Sequence, residues 1–309
     1  MFWSKWFEPK PFNQGYLPEE GGHRVFYHEY GNPDGQTVLV FHGGPGGSCK
    51  ARHVKSMGNW KNYRITMFDQ RGCGLSEPAG EIKNNTTGDL VKDAKRLLDY
   101  LGIVRPVIVR GGSWGSTLAL LFAERYPEMV EKLLLSQIFL ADGMTADWEN
   151  KEVALFYPEF VGQLQEAAKN SSSIAEYFAG LINSDHPQDQ LLAANTYGWW
   201  ERVRSSLNPK WNTLEQLDEA ELASQRIYIN YAAQNFMLKD NEIIKNAYKI
   251  AHIPVVIIHN RLDFSCPLKG AYLLHKALPK SRFVVVPEHG HVGKLLHKTI
   301  KQEMKKELV

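Results

Sequence analysis

Cysteine is scarce: Cys49, Cys73 and Cys266 are the only three in 309 residues, an odd number without a CxxC pair. That excludes a disulfide framework and a structural zinc site, and it fits the reduced thiols of a cytoplasmic protein. Neither sign of charge is in excess, since 36 Lys and Arg against 34 Asp and Glu leave a net charge of +2. Neither nucleic acid nor an anionic membrane is therefore expected as a partner. No apolar run approaches the ~20 residues needed to cross a bilayer. The opening MFWSKWFEPKPFNQG lacks the apolar centre of a secretion signal, so the cytoplasm is the expected location. A GxxxxGK[ST] phosphate loop is missing, as are internal repeats and low-complexity segments. What is left is a globular chain, 43% hydrophobic, able to bury a large core. It carries no motif for a metal or an organic cofactor.

What is present is an alternation. Between Gly22 and Gly143, short apolar runs (RVFYHEY, TVLVFH, YRITMFD, PVIVRGG, KLLLSQI) are interleaved with helical patterns. In one of these Leu90, Ala94, Leu97, Leu98 and Leu101 trace a single face. The same grammar resumes at IPVVIIH, LKGAYLLHKAL, SRFVVVP and VGKLLHKTIKQEMKKEL. Strand alternating with helix predicts an α/β fold with a mostly parallel central sheet covered on both sides. Residues 141–250 have almost no β-branched runs and many helix formers, so they are expected to form a helical cap inserted into a core made of 1–140 and 251–309. The insertion carries 16 Asp and Glu against 9 Lys and Arg, a balance of −7 that leaves +9 on the remainder. Solvated helix faces account for such a balance, and so does a mild lure for cationic substrates.

The chemistry gathers at Gly111-Gly112-Ser113-Trp114-Gly115, a G-x-S-x-G pattern with a strand before it and a helix after it. Glycines at such a turn let backbones approach where side chains would collide. A lone serine is a weak nucleophile, so a histidine must accept its proton and a carboxylate must orient that histidine. In this kind of fold the chain order is Ser, acid, His. Asp263 follows a buried strand, and His289 and His291 follow the last one. Gly290 allows a tight loop and a helix follows directly, which favours His291 over His289 as the base. His259 lies inside an apolar strand and reads as a core residue. Asp142, the rival acid, sits at the entry to the insertion, where a capping role suits it. The loop HGGPGGS offers free amides, and Gly44 with Trp114 is the expected donor pair for an oxyanion.

Taken together, YGNPDGQTVLVFHGGPGG, FDQRGCGLSEP, GGSWGSTLALLFAERYP, WWERVRSSL, NRLDFSCP and EHGHV resemble, in order and spacing, the proline iminopeptidases of the α/β-hydrolase fold. The resemblance implies Ser113, Asp263 and His291 as a catalytic triad. It also implies a cap whose carboxylates hold the substrate's free amino group, with Glu201 as one of them. Tyr228 stands where that family has a second glutamate. The expected activity is release of an N-terminal residue, preferably proline, from short peptides. An esterase or amidase acting on small acyl substrates is the alternative, and a non-catalytic ligand-binding protein is a third reading that the intact Ser, Asp and His disfavour.

Overall fold

The strands are those the apolar runs predict, with one addition. The computed structural model describes residues 8–206 and 214–307. The aromatics of residues 1–7 and Leu308 of the expected last helix lie outside them. The strands are β1 (Asn13–Tyr16), β2 (Phe26–Gly31), β3 (Gln36–Phe41), β4 (Tyr63–Phe68), β5 (Val107–Ser113), β6 (Val130–Ile138), β7 (Val255–Leu262) and β8 (Ser281–His289). They form one sheet in the order β1-β2-β4-β3-β5-β6-β7-β8. The β1–β2 and β2–β4 pairs are antiparallel, and the other pairs are parallel. β1, in FNQGY, has no apolar run of its own and is recruited by pairing with β2.

Parallel strands buried on both faces need apolar side chains at every position, which explains the unbroken runs. Alternate residues go to opposite layers. Val107, Val109, Leu133, Leu135, Val255 and Ile257 face one core, and Ile108, Leu134, Val256 and Ile258 face the other. The first core is covered by α2 (Thr87–Tyr100), α3 (Trp114–Arg125) and α11 (Leu268–Ala277), the second by α1 (Ala51–Lys55) and α12 (Lys294–Glu307). On α2 the expected stripe is the buried one: Leu90, Ala94, Leu97 and Leu98 are all at most 1% exposed. Each buried leucine contributes roughly 1.5–3 kcal/mol. The helix begins at a capping box, in which Thr86 Oγ1 accepts the Asp89 N–H at 3.2 Å and the Asp89 carboxylate accepts the Thr86 N–H at 3.1 Å.

Between β6 and β7 the described residues contain helices and no strand: α4 (Gly143–Asn150), α5 (Pro158–Ala167), α6 (Ile174–Ile182), α7 (Pro187–Ala193), α8 (Trp199–Ser205), α9 (Glu219–Ala233) and α10 (Glu242–Asn246). A π turn at Ala194–Gly198 joins α7 to α8. These helices hold a separate apolar cluster around Val153, Phe178, Ile182, Trp200, Val203 and Ile229. Arg204, only 2% exposed, is held among them by Glu149 Oε1 at 2.6 Å and by the Tyr228 hydroxyl at 3.2 Å.

Candidate active site

Ser113 ends β5 and begins α3 with φ 57° and ψ −132°, a left-handed backbone that costs a non-glycine residue about 1–3 kcal/mol. The surrounding glycines make it possible. A Cβ on Gly111 would stand 2.0 Å from the Gly115 carbonyl oxygen, and one on Gly115 would stand 2.4 Å from that of Phe41. The turn is fastened from behind, where Ser116 Oγ donates to the Ser113 carbonyl at 2.7 Å and accepts the Phe139 N–H at 3.1 Å. The serine side chain is thereby presented at the carboxyl end of the sheet, where β3, β5 and β7 also open into loops.

Asp263 follows β7 and is 4% exposed. Its Oδ1 accepts the N–H groups of Ser265 (3.0 Å) and Cys266 (2.9 Å), and its Oδ2 accepts from His291 Nδ1 at 2.8 Å. Burial works against the carboxylate charge, but the His291 charge and hydrogen bond, together with the neighbouring His259 and the Cys266 amide, outweigh it and hold Asp263 below the usual carboxylate range. Burial likewise opposes protonation of His291, yet the Asp263 charge, assisted by Cys266, pushes its pKa well above the ordinary value. The Nδ1 contact leaves Nε2 as the nitrogen available to a serine.

The histidine loop is pinned from four sides. Gly290, at φ 83°, donates its N–H to Leu262 O (2.8 Å), and Asn260 Nδ2 donates to Gly290 O (2.7 Å). Gln137 Nε2 donates to His291 O (2.7 Å), and the His291 N–H reaches the Ser205 carbonyl of α8 (2.9 Å). His289 is exposed on β8, opposite Leu262, and takes no part. Asp142 caps α4, accepting from Thr145 N and Oγ1 at 3.0 and 2.9 Å, and does not meet the histidine. His259 is a core residue: Nδ1 accepts the Ile138 N–H at 3.0 Å and Nε2 faces Cys266 O at 2.8 Å, which assigns the proton to Nε2.

Among the described residues Asp263 and His291 are paired, and no hydrogen bond joins Ser113 Oγ to His291. The side chains of Asp263, Cys266 and His291 bring ligand-type atoms mutually within 4.8 Å. Such a set could take a metal ion, but both carboxylate oxygens and Nδ1 are already in hydrogen bonds.

The Gly44 loop folds tightly. Gly44 has φ 131°, and a Cβ on Gly43 would lie 3.4 Å from Ser113 Cβ, so this loop passes directly over the serine. Its support comes from residues that the sequence motifs carry without explaining. Gln70 donates from Nε2 to His42 O (3.0 Å) and from its backbone N–H to His42 Nε2 (3.0 Å), while its Oε1 accepts the Trp114 indole N–H (2.9 Å). Gln70 thus ties the loop carrying Gly44 to the residue after the serine. The only signal for it in the sequence is its place in FDQRG.

Glu201, in the first turn of α8, is half-buried and has no ion pair with Arg202 or Arg204. Ser205 Oγ lies 3.4 Å from Glu201 Oε1 and 3.2 Å from Ser265 Oγ, so one helical turn links this carboxylate to the loop of Asp263. Tyr228 meets Arg204, and Glu149, which no sequence pattern singled out, supplies Arg204's counter-charge.

The strained serine at the strand–helix turn and the Asp–His pair in the loops after the last two strands define an α/β hydrolase, and the alpha/beta hydrolase fold family model matches residues 36–298. Within that fold the chain belongs to the proline iminopeptidases. It is 36% identical over 292 residues to the proline iminopeptidase of Xylella fastidiosa, covering 92% of each chain. It is 37% identical to that of Neisseria meningitidis, covering 91% of each, and 35% identical to that of Arabidopsis thaliana, covering 91% of this chain and 76% of the relative. Solved structures share the fold at lower identity. A proline iminopeptidase-related protein from Thermus thermophilus superposes with a TM-score of 0.59 at 21% identity, covering 96% of each chain. An alpha/beta hydrolase from a deep-sea metagenome gives 0.62 at 20%, covering 94% of this chain and 96% of the other. No helix among the described residues is long and apolar enough to cross a membrane.

Proposed function

We propose that the protein is a serine hydrolase that releases an N-terminal residue, preferably proline, from short peptides. The observation that carries the reading is the His291 Nδ1–Asp263 Oδ2 contact of 2.8 Å together with a serine held at φ 57° on the strand–helix turn, in a chain related over nine-tenths of its length to proline iminopeptidases.

In this reading Ser113 Oγ attacks the scissile carbonyl as His291 Nε2 takes its proton. The Gly44 and Trp114 N–H groups hold the oxyanion, and the imidazolium, steadied by Asp263, then protonates the departing amine. A water activated by the same histidine releases the acyl group. Glu201 pairs with the substrate's ammonium group, which would be costly to bury without a counter-charge. Residues 141–250 act as a cap domain, closing this site over a core of 1–140 and 251–309.

One observation favours a second reading, an esterase or amidase of small acyl substrates. The position of the second family glutamate is Tyr228, whose hydroxyl is engaged by Arg204. The deciding experiment compares kcat/KM on prolyl, alanyl and N-acylated prolyl anilides with that on p-nitrophenyl esters. A free-amine prolyl anilide ahead of its N-acylated form supports the aminopeptidase, and the reverse order supports the esterase or amidase.

A further inference from the structure

Gln137 has a backbone that does not suit its side chain. It stands near the end of β6 at φ 51°, in the left-handed region that a glycine enters freely and another residue enters only under strain. The strand register shows where this arises. Gly112 of β5 pairs with Ser136, but Ser113 pairs with Ile138, so Gln137 is passed over as a bulge beside the Ser113 turn. An unbroken strand would set residue 137 opposite Ser113, and a bulge re-aims the side chain. The chain is fastened again directly beyond it, where the Ile138 N–H is taken by His259 Nδ1 at 3.0 Å and the Phe139 N–H by Ser116 Oγ at 3.1 Å. The half-buried amide of Gln137 then spans two elements. Its Oε1 accepts from Ser136 Oγ at 3.1 Å, and a Cβ on Gly112 would stand 3.2 Å from that oxygen, so this end lies against the strand of Ser113. Its Nε2 donates to the His291 carbonyl at 2.7 Å. A carbonyl can only accept, which fixes the orientation of the amide. The other three contacts of the His291 loop described above come from Leu262 and Asn260 of β7 and from Ser205 of α8. Of the four, the Gln137 contact is the one that ties the loop to a strand paired with β5.

We propose that Gln137 is a positioning residue for the hydrolysis: its side chain sets the His291 loop against β5 so that Nε2 meets the Ser113 hydroxyl, and the strained bulge is the backbone that aims it. The inference rests on the reading of Ser113 as nucleophile and His291 as base. Gln137 acts through the His291 carbonyl at one end and through the Ser136–Gly112 contact at the other. The Asp263 contact orients the imidazole but comes from the loop after β7, so it does not set the distance of that loop from β5. Distance matters, since a misplacement of about 1 Å can cost about 10²-fold in rate. Backbone strain persists only where the surrounding structure over-determines it. A glycine at 137 would avoid the strain and lose the amide, which makes the amide the part of the residue that the site uses.

The test compares Gln137→Gly and Gln137→Met with the unmodified protein. Glycine frees the backbone and removes the amide, whereas methionine keeps the length of the side chain and removes only its donor and acceptor. The measured quantities are kcat and KM on prolyl anilide, the second-order rate at which a fluorophosphonate labels Ser113, and the thermal midpoint. Labelling needs the serine and the histidine but no free amino group, so it reads their alignment apart from substrate recognition. In both variants kcat and the labelling rate should fall about tenfold, equivalent to about 1.4 kcal/mol, with KM and the acid limb of the pH profile unchanged. In Gln137→Gly the midpoint should not fall, because relief of the backbone offsets the lost hydrogen bond. A merely structural residue would lower activity and stability together. Unchanged kcat and labelling in either variant, or losses in Gln137→Gly that follow a falling midpoint, overturn the inference and leave Ser113 and His291 in their roles. An unmodified protein that the fluorophosphonate does not label at Ser113 overturns the reading of the site, and this inference with it.

Discussion

At the scale of single residues the site makes sharp demands on protonation. In the proposed mechanism His291 must be neutral to accept the Ser113 proton, and the Asp263 charge raises the His291 pKa well above its ordinary value. The active fraction therefore falls as pH drops through that raised pKa. On an uncharged ester, whose own titration cannot interfere, kcat/KM should have its acid limb above pH 6.5. Asp263→Asn should move the limb to lower pH, because the strongest influence opposing burial is then lost, and should cost about 10⁴ in kcat; a limb that stays put would remove Asp263 from the pair. Ser113→Ala should cost on the order of 10⁶ in kcat with an unchanged unfolding transition, since glycines and not the hydroxyl build the turn. Retention of a tenth of the activity would show another nucleophile. Glu201→Gln should lower kcat/KM on free-amine substrates by about 2–3 kcal/mol and spare an uncharged ester. Equal losses on both would give Glu201 a purely structural role through Ser205.

At the scale of elements, what matters is how closely backbones approach. Gly115 brings α3 to 2.4 Å (Cβ to oxygen) from the Phe41 carbonyl of β3, and no side chain there has a flexible end to move. Gly115→Ala should destabilise the fold by about 3 kcal/mol and abolish turnover. Gly180, exposed on α6, would meet nothing within 4 Å, so Gly180→Ala should stabilise the protein by about 0.5–1 kcal/mol. Denaturant midpoints of the pair check both signs, and a neutral Gly115→Ala would show that the elbow has room to spare. The elements were also where the sequence was most legible. The runs TVLVFH, PVIVRGG and KLLLSQI lie in β3, β5 and β6 because a strand buried on both faces must be apolar throughout. β1 was not legible, since NQGY is a strand only by virtue of the β2 edge beside it.

At the scale of the whole molecule, the helices between β6 and β7 have their own apolar cluster, yet they hold the His291 loop through the His291 N–H to the Ser205 carbonyl. Loosening that cluster should therefore impair activity before it unfolds the sheet. Phe178, fully buried on α6 far from Ser113 in the chain, is the site to test. Phe178→Ala removes about 3–5 kcal/mol of packing. On heating, activity should be lost at a lower temperature than the far-ultraviolet dichroism of the sheet. Coincident losses would mean that the helices and the sheet unfold as one unit.

The sequence by itself determined the layers and the turn at Ser113, because each depends on local periodicity or on glycines a few positions apart. It also made His291 a better choice than His289, through Gly290 and the helix that follows. Only the tertiary structure decided which carboxylate meets that histidine and which groups brace it. Gln137 reaches the His291 carbonyl across 154 positions, Gln70 reaches His42 across 28, and Glu149 reaches Arg204 across 55. Hydrogen bonds and ion pairs depend on separation in space, and a chain folded through eight strands brings together polar groups whose positions carry no shared period.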